Sequence, residues 1–344
     1  MLDKVAVIGA GSWGTTVAAI AAQKTATVLW ARRPALAQAL ATTHENPDYL
    51  PGVALPAPLA ATASLEEAVC GTDLVVMAVP SHGVRAVLDE LAPYLGPDTP
   101  LLSLAKGLEQ GTRLRMTEVA AQVAPGRPVG VLTGPNLARE IASGQPAATV
   151  VAMADDGVSR AIQELLRTDT FRVYTNPDVV GCEIAGATKN VLAIAAGILQ
   201  GLGLGDSSLA AVITRGLAEL GRLGVAMGGD RITIAGLAGV GDLVATCTSH
   251  LSRNRMVGEQ LGRGKSIDDI LGEMRMVAEG VKTARPLLEL AAAYGVEMPI
   301  GEQVAAVLEG SQPPANAIRA LMMRSAKPEF QGLPPDVPSG RERG

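Results

Sequence analysis

A glycine-rich turn directly behind a short apolar run constrains this chain more than any other feature. Val5-Ala6-Val7-Ile8 is compact and apolar, and Gly9-Ala10-Gly11-Ser12-Trp13-Gly14 follows it as G-x-G-x-x-G. A helical pattern over residues 15–23 comes next. Alone, the motif is a common kind of turn. Between a strand and a helix it is the arrangement that holds a dinucleotide pyrophosphate. Gly9 permits the tight turn, Gly11 lets the backbone approach the phosphates, and Gly14 lets helix and strand pack closely. The helix start then offers unpaired N–H groups and a partial positive charge.

Further short apolar runs continue the pattern at residues 27–30, 74–79, 101–104, 129–132 and 148–153. Helix-length segments at 82–91, 114–123 and 159–166 lie between them. Continuous apolar strands separated by helices predict a mostly parallel sheet covered on both faces. The pattern changes after Asn176-Pro177. Residues 178–199 read as one long helix, and helical patterns follow at 209–223, 255–261, 267–273, 284–294 and 301–308. The expected fold is an α/β Rossmann-type doubly wound domain over 1–180, then an all-α domain over 181–326. Residues 327–344, rich in Pro, Gly and charge, are expected to form a disordered tail.

Composition narrows the classes. A formal charge of −5 argues against a nucleic-acid partner bound by broad electrostatics. Cys70, Cys182 and Cys247 are widely spaced without C-x-x-C, which predicts reduced thiols and a cytoplasmic setting. The histidines His44, His82 and His250 lack metal-ligand spacing, so no metal site is expected; His44 reads as an exposed loop residue. No signal peptide precedes the first strand pattern. No uninterrupted apolar run approaches the roughly 18 residues that span a bilayer. A homodimer is compatible with the Ala/Leu-rich helical half.

The second apolar run ends at Trp30, where NAD-selective sites usually carry an acidic residue for the ribose 2′-OH. Arg32 and Arg33 stand there instead. They read either as a fork for a 2′-phosphate, so that NADP(H) is accepted alongside NAD(H), or as a solvated turn. Lys189 is a lone cation in a strongly apolar helix: a desolvated acid/base of lowered pKa, or a snorkelling surface residue. Asn190 could orient a substrate hydroxyl or cap a local turn. Asp242, behind Gly239-Val240-Gly241, reads as a helix N-cap or as a carboxylate partner for Lys189. Ser252-Arg253-Asn254-Arg255 suits a phosphate, or a basic helix start. Lys106 lies just past a strand end, where doubly wound folds bind ligands. Gly134-Pro135-Asn136 follows another strand end and opens a helix whose N–H groups could hold an anion.

Together these segments resemble a known family. The glycine turn with Ser12-Trp13, Asn46-Pro47-Asp48-Tyr49-Leu50-Pro51-Gly52, Val79-Pro80-Ser81-His82, Lys106-Gly107, Gly134-Pro135-Asn136, Lys189-Asn190, Ile213-Thr214-Arg215-Gly216-Leu217, Gly241-Asp242-Leu243, Ser252-Arg253-Asn254-Arg255 and Ala278-Glu279-Gly280 are similar to bacterial NAD(P)-dependent glycerol-3-phosphate dehydrogenase. The resemblance implies reversible reduction of dihydroxyacetone phosphate to sn-glycerol 3-phosphate, feeding glycerophospholipid synthesis in the cytoplasm. It implies Lys189 as proton donor and acceptor. It implies substrate contacts at Lys106, Gly134, Asn136, Asp242, Ser252, Arg253 and Asn254, with Thr246 a polar group near the reacting carbon. Cofactor contacts are implied at Ser12, Trp13, Arg32, Arg33, Lys106, Ala138, Arg253, Val277 and Glu279. Asn136 departs from the Ser of many bacterial members, and Thr188 from a common Leu. Two rival readings share the fold: ketopantoate reductase or another hydroxyacid dehydrogenase, and a non-catalytic NADP(H) sensor.

Overall fold

The computed structural model describes residues 2–274, 277–326 and 328–329. Ten strands lie before residue 177: β1 (Lys4–Ile8), β2 (Ala26–Trp30), β3 (Glu45–Asn46), β4 (Leu50–Ala54), β5 (Ala60–Thr62), β6 (Leu74–Met77), β7 (Leu101–Ser103), β8 (Val129–Thr133), β9 (Ala147–Met153) and β10 (Phe171–Asn176). Eight of them form one sheet in the order β10-β9-β8-β7-β6-β1-β2-β5, while β3 and β4 make a small hairpin. The sheet is parallel except at the β8–β9 junction, where the direction reverses. Seven helices cover it: α1 (Ser12–Ala21), α2 (Pro34–Thr43), α3 (Leu65–Val69), α4 (Val84–Leu91), α5 (Met116–Val123), α6 (Ala138–Ala142) and α7 (Asp156–Leu166). Strands β1, β6 and β7 are buried along nearly their whole length, as their continuous apolar sequences require.

The second half contains no described strand. Its helices are α8 (Val179–Gly201), α9 (Asp206–Ala226), α10 (Arg231–Ala235), α11 (Asp242–Thr248), α12 (Arg253–Gly262), α13 (Ile267–Glu273), α14 (Glu279–Ala293), α15 (Pro299–Leu308) and α16 (Pro314–Met322). A wide π-type turn, Leu237–Gly241, runs directly into α11. The sheet ends at Asn176, and α8 starts at Val179, with the Asp178 carboxylate accepting the Gly181 N–H as an N-cap. The tail expected from 327 lies outside the described residues except for Pro328 and Glu329.

Helix α8 is the axis of the second half. Every residue from Gly181 to Leu199 is buried. By length and composition this helix could cross a bilayer, although no long uninterrupted apolar run marks it. Yet 83% of its apolar window is buried inside the protein, under α9, α11, α12 and α14. The neutral turns of Ala and Gly allow that depth. Gly197 and Gly201 on α8 face Gly258 and Gly262 on α12 so closely that a Cβ on any of them would overlap the opposing backbone. Gly258→Val is expected to destabilise the protein by at least the ~1–3 kcal/mol typical of overpacking, seen as a lowered Tm. An unchanged Tm would mean that the two helices are not held at this spacing.

Candidate active site

The carboxyl ends of β1, β2 and β6 frame the glycine turn. Gly9 has φ +122°, and a Cβ there would sit 2.8 Å from the carbonyl of Ala78. A Cβ on Gly14 would overlap the Gly9 carbonyl, which explains why helix and strand require glycine there. Beside Gly11 there is open space, where a phosphate could approach. Helix α1 has no side-chain cap, so the first N–H groups after Gly11 are unpartnered by the chain. Asn46, fully buried, braces the turn: its Nδ2 donates to the Ala10 carbonyl (2.9 Å) and to Thr15 Oγ1 (2.7 Å). Sequence reasoning quoted the Asn46 motif without assigning it this job.

Other residues expected at the cofactor are placed as follows. The Trp13 ring packs edge-on against Phe171 (centroids 6.2 Å apart), and its indole Nε1 is buried without a partner. Arg33 pairs with Asp48 and lies over the Tyr49 ring. Arg32 is exposed just past β2 and has no such partner among the described residues. The residues therefore fit a dinucleotide: an open glycine turn, an orphaned indole N–H, and, just past β2, an exposed guanidinium with no partner among the described residues. His44 ends α2 in the left-handed region (φ 51°) and is half-buried, not an exposed loop residue.

The chemistry-bearing cluster lies where α8 and α11 meet the end of β7. Asp242 opens α11 and is 1% exposed. Its Oδ1 lies 2.9 Å from Lys189 Nζ and its Oδ2 lies 2.6 Å from Lys106 Nζ. Burial alone would raise the Asp242 carboxyl, but the two ammonium groups outweigh it and hold it below the ordinary carboxylate range. Lys106 is pulled down to about 8, chiefly by burial and also by the Lys189 charge, while Asp242 opposes the shift. Lys189 is 6% exposed and also donates to Thr246 Oγ1 (2.7 Å). The snorkelling alternative for Lys189 is thereby removed. Asp242 heads its helix, yet its side chain caps nothing. Lys106 Nζ further donates to the Gly134 carbonyl (2.9 Å), which draws the β8 end into the cluster. Gly134 has φ +133° and lies against Thr149.

Around this centre sit the residues expected to hold a phosphate. Ser252 caps α12 by accepting the Arg255 N–H (3.3 Å). Arg253 donates to the Val277 carbonyl (2.7 Å), and burial lowers its pKa against the pull of Glu279. Arg255 points elsewhere, toward Gln200 and Glu259. Asn136 Nδ2 donates to Thr149 Oγ1 (3.0 Å), leaving Oδ1 buried and unpartnered. The Ala138 carbonyl, at the head of five-residue α6, accepts from Thr16 Oγ1 (3.3 Å). Glu279 accepts the backbone N–H groups of Ser81 (2.9 Å) and Lys106 (3.0 Å). Asn190 Nδ2 donates to the Lys106 carbonyl (2.8 Å) and Oδ1 accepts from Asn254 Nδ2 (2.8 Å). Ser81 and Glu183 escaped sequence reasoning as functional residues. Glu183 is a buried carboxylate that accepts Thr117 N–H (2.9 Å) and Arg115 Nη1 (2.7 Å) and ties α8 to α5. Its signal was an acidic residue inside an apolar helix pattern, six positions before Lys189.

Comparisons with known proteins agree with this geometry. Residues 4–159 match the NAD-dependent glycerol-3-phosphate dehydrogenase N-terminus, and residues 178–319 match its C-terminus. The chain belongs to the NAD-dependent glycerol-3-phosphate dehydrogenase family. Glycerol-3-phosphate dehydrogenase (NAD(P)+) of Thermobifida fusca is 52% identical over 96% of this chain and 100% of its own length. A Sphingopyxis alaskensis relative of the same name is 52% identical over 95% of this chain and 98% of its own length. The crystal structure of glycerol-3-phosphate dehydrogenase from Coxiella burnetii superposes with TM-score 0.91 at 36% identity, covering 94% of this chain and 99% of that one. A ketopantoate reductase from Ralstonia eutropha shares the fold alone, with TM-score 0.59 and 17% identity over 92% of this chain. Arg33 is paired with Asp48, so the expected 2′-phosphate contact is tested at Arg32. Arg32→Asp should lower NADPH affinity relative to NADH by roughly tenfold or more, as for loss of one charge-assisted pair. An unchanged ratio in fluorescence titrations would reject that assignment.

Proposed function

We propose that this chain reduces dihydroxyacetone phosphate to sn-glycerol 3-phosphate with NADPH or NADH, reversibly, in support of glycerophospholipid synthesis. The observation that carries the reading is the single Asp242 carboxylate shared by Lys106 and Lys189 where the loop after β7 meets the helical half. Lys106, Lys189 and Arg253 against Asp242 and Glu279 leave one net positive charge in a buried site, which suits a phosphorylated ketone. Family membership and the names of the relatives favour this substrate over ketopantoate. Three free cysteines, two of them buried, support a cytoplasmic setting. Exposed Ile232, Val244 and Leu251 in the helical half support a homodimer.

A reduced nicotinamide dinucleotide, held at the Gly9–Gly14 turn, would supply the hydride for the carbonyl carbon. Arg253, close to the Val277 and Glu279 segment, meets the substrate phosphate, with the Gly134 turn beside it. Lys189 transfers a proton from Nζ to the carbonyl oxygen and takes one back in the reverse direction. Asp242 and Thr246 fix the position of that amine, so that the proton lies along the reaction path. Lys106 contributes charge between the substrate and the carboxylate. The buried setting excludes water, which strengthens each of these interactions.

Loss of reduced-nicotinamide absorbance with dihydroxyacetone phosphate, compared with ketopantoate, tests the substrate. Lys189→Ala should lower kcat by about 10²-fold or more, the usual scale for a general acid. Near-wild-type turnover would reject its role. Lys106 is charged below its pKa and neutral above it, so kcat/KM should fall above about pH 8. Lys106→Arg should move that limb upward, because a guanidinium stays charged. A limb that does not move belongs to another group.

A further inference from the structure

The backbone of Lys106 is gripped from both sides by the helical half. Its N–H donates to Glu279 Oε2 (3.0 Å) and its carbonyl accepts from Asn190 Nδ2 (2.8 Å). Asn190 Oδ1 in turn accepts from Asn254 Nδ2 (2.8 Å), and Asn254 Oδ1 accepts the N–H of Gly280 (2.9 Å). Gly280 is the next residue after Glu279, so the hydrogen bonds close into a ring. The ring passes through the loop after β7, then α8, α12 and the start of α14. Asn190 and Asn254 are 4% and 8% exposed, so neither carboxamide is freely hydrated. A Cβ at Gly280 would sit 2.5 Å from the Asn190 carbonyl oxygen and 2.9 Å from Asn254 Oδ1, so only glycine fits. The second oxygen of Glu279 holds the N–H of Ser81, fixing the loop after β6 as well.

We propose that Glu279, Asn254 and Asn190 are positioning residues that act through the main chain of Lys106, setting where its ammonium meets Asp242 and the substrate. The proposal rests on the reductase reading above and differs from direct contacts of Glu279 with the cofactor and of Asn254 with the substrate. Asn190 and Asn254 each place both oxygen and nitrogen in the ring, and Glu279 places Oε2 in it with Oε1 on the Ser81 N–H. The ammonium they steer is buried against Asp242 and Gly134, with Lys189 and Glu279 the other charges that face it. A buried charge cannot be shifted without weakening the pair it makes, and a misplacement of about 1 Å near reacting groups costs on the order of 10²-fold.

The experiment compares the full-length chain with Glu279→Gln, Asn254→Ala and the double variant. Glutamine keeps the size of Glu279 but turns a carboxamide NH2 toward one of its two N–H donors, Ser81 or Lys106. NADPH affinity is measured by fluorescence titration, turnover by steady-state kinetics, and the kcat/KM profile against pH. The expected result is an NADPH Kd within about twofold of wild type and kcat lowered about tenfold or more, the high-pH limb displaced. The double variant should lose little beyond the worse single one, because both open one ring. Two results overturn the proposal: an NADPH Kd weakened in proportion to the loss with kcat at saturation intact, or additive losses with the pH limb unmoved. If Glu279→Gln does not fold, Asn254→Ala carries the same readouts. A wild type that binds NADPH but leaves dihydroxyacetone phosphate unreduced removes the reductase reading instead. The ring is then judged by an NMR titration of the Lys106 side chain, which must shift in both variants.

Discussion

One carboxylate organises the site. Asp242 is buried, and each of its oxygens meets an ammonium from a different half of the molecule. Lys106 comes from the loop after β7, and Lys189 from the middle of α8. Without Asp242, two like charges would face each other in a desolvated space. Removing one partner of a buried ion pair typically costs about 3–5 kcal/mol, because the remaining charge is stranded. The three groups therefore join the two halves, and the rest of the structure can be understood as holding them in place.

Helix α8 does most of that holding. Glu183, Gly186 and Asn190 recur at i, i+3 and i+7, which puts them on one face. Glu183 grips the start of α5, Gly186 lets Thr133 and Lys106 come close, and Asn190 holds the Lys106 carbonyl. Lys189, one residue before Asn190, is rotated off that face toward α11, where Thr246 and Asp242 receive it. The π-type turn before α11 delivers Asp242 to that spot. A side chain on Gly239 would overlap the Ile234 carbonyl, so the turn needs glycine at this position. Irregular helical turns of this kind are frequent at functional sites. The sheet supplies the other side, with the glycine turn of β1 between the ends of β2 and β6.

Much of this was legible in the residues. Strands β1, β2, β6, β7, β8 and β9 stand within a few residues of the apolar runs that predicted them, because strands buried on both faces are continuous in sequence. Edge strand β10 was not visible that way. Phe171 and Val173 point inward while Arg172 and Tyr174 point outward, so it alternates where the others do not. Short α10 and α11 flank a glycine-rich stretch whose local sequence resembles a loop, and tertiary packing makes them helical. Lys189 with Asp242 could be paired on paper because both are charges in apolar surroundings. The sharing of Asp242 with Lys106, 136 positions earlier, could not, because no local pattern records it. The same holds for the closed ring through Asn190 and Asn254, which alone in sequence suit either a cap or a ligand.

The most direct test is an NMR titration of the Lys106 ε-carbon in the wild-type chain and in Asp242→Asn. The chain has only seven lysines, which keeps the spectrum assignable. A buried ammonium restrained by a shared carboxylate should titrate near about 8 in the wild type and lower in the variant, where only Glu279 still opposes burial and the Lys189 charge. A Lys106 that titrates at the ordinary lysine value in both proteins would contradict the shared-carboxylate site at its root.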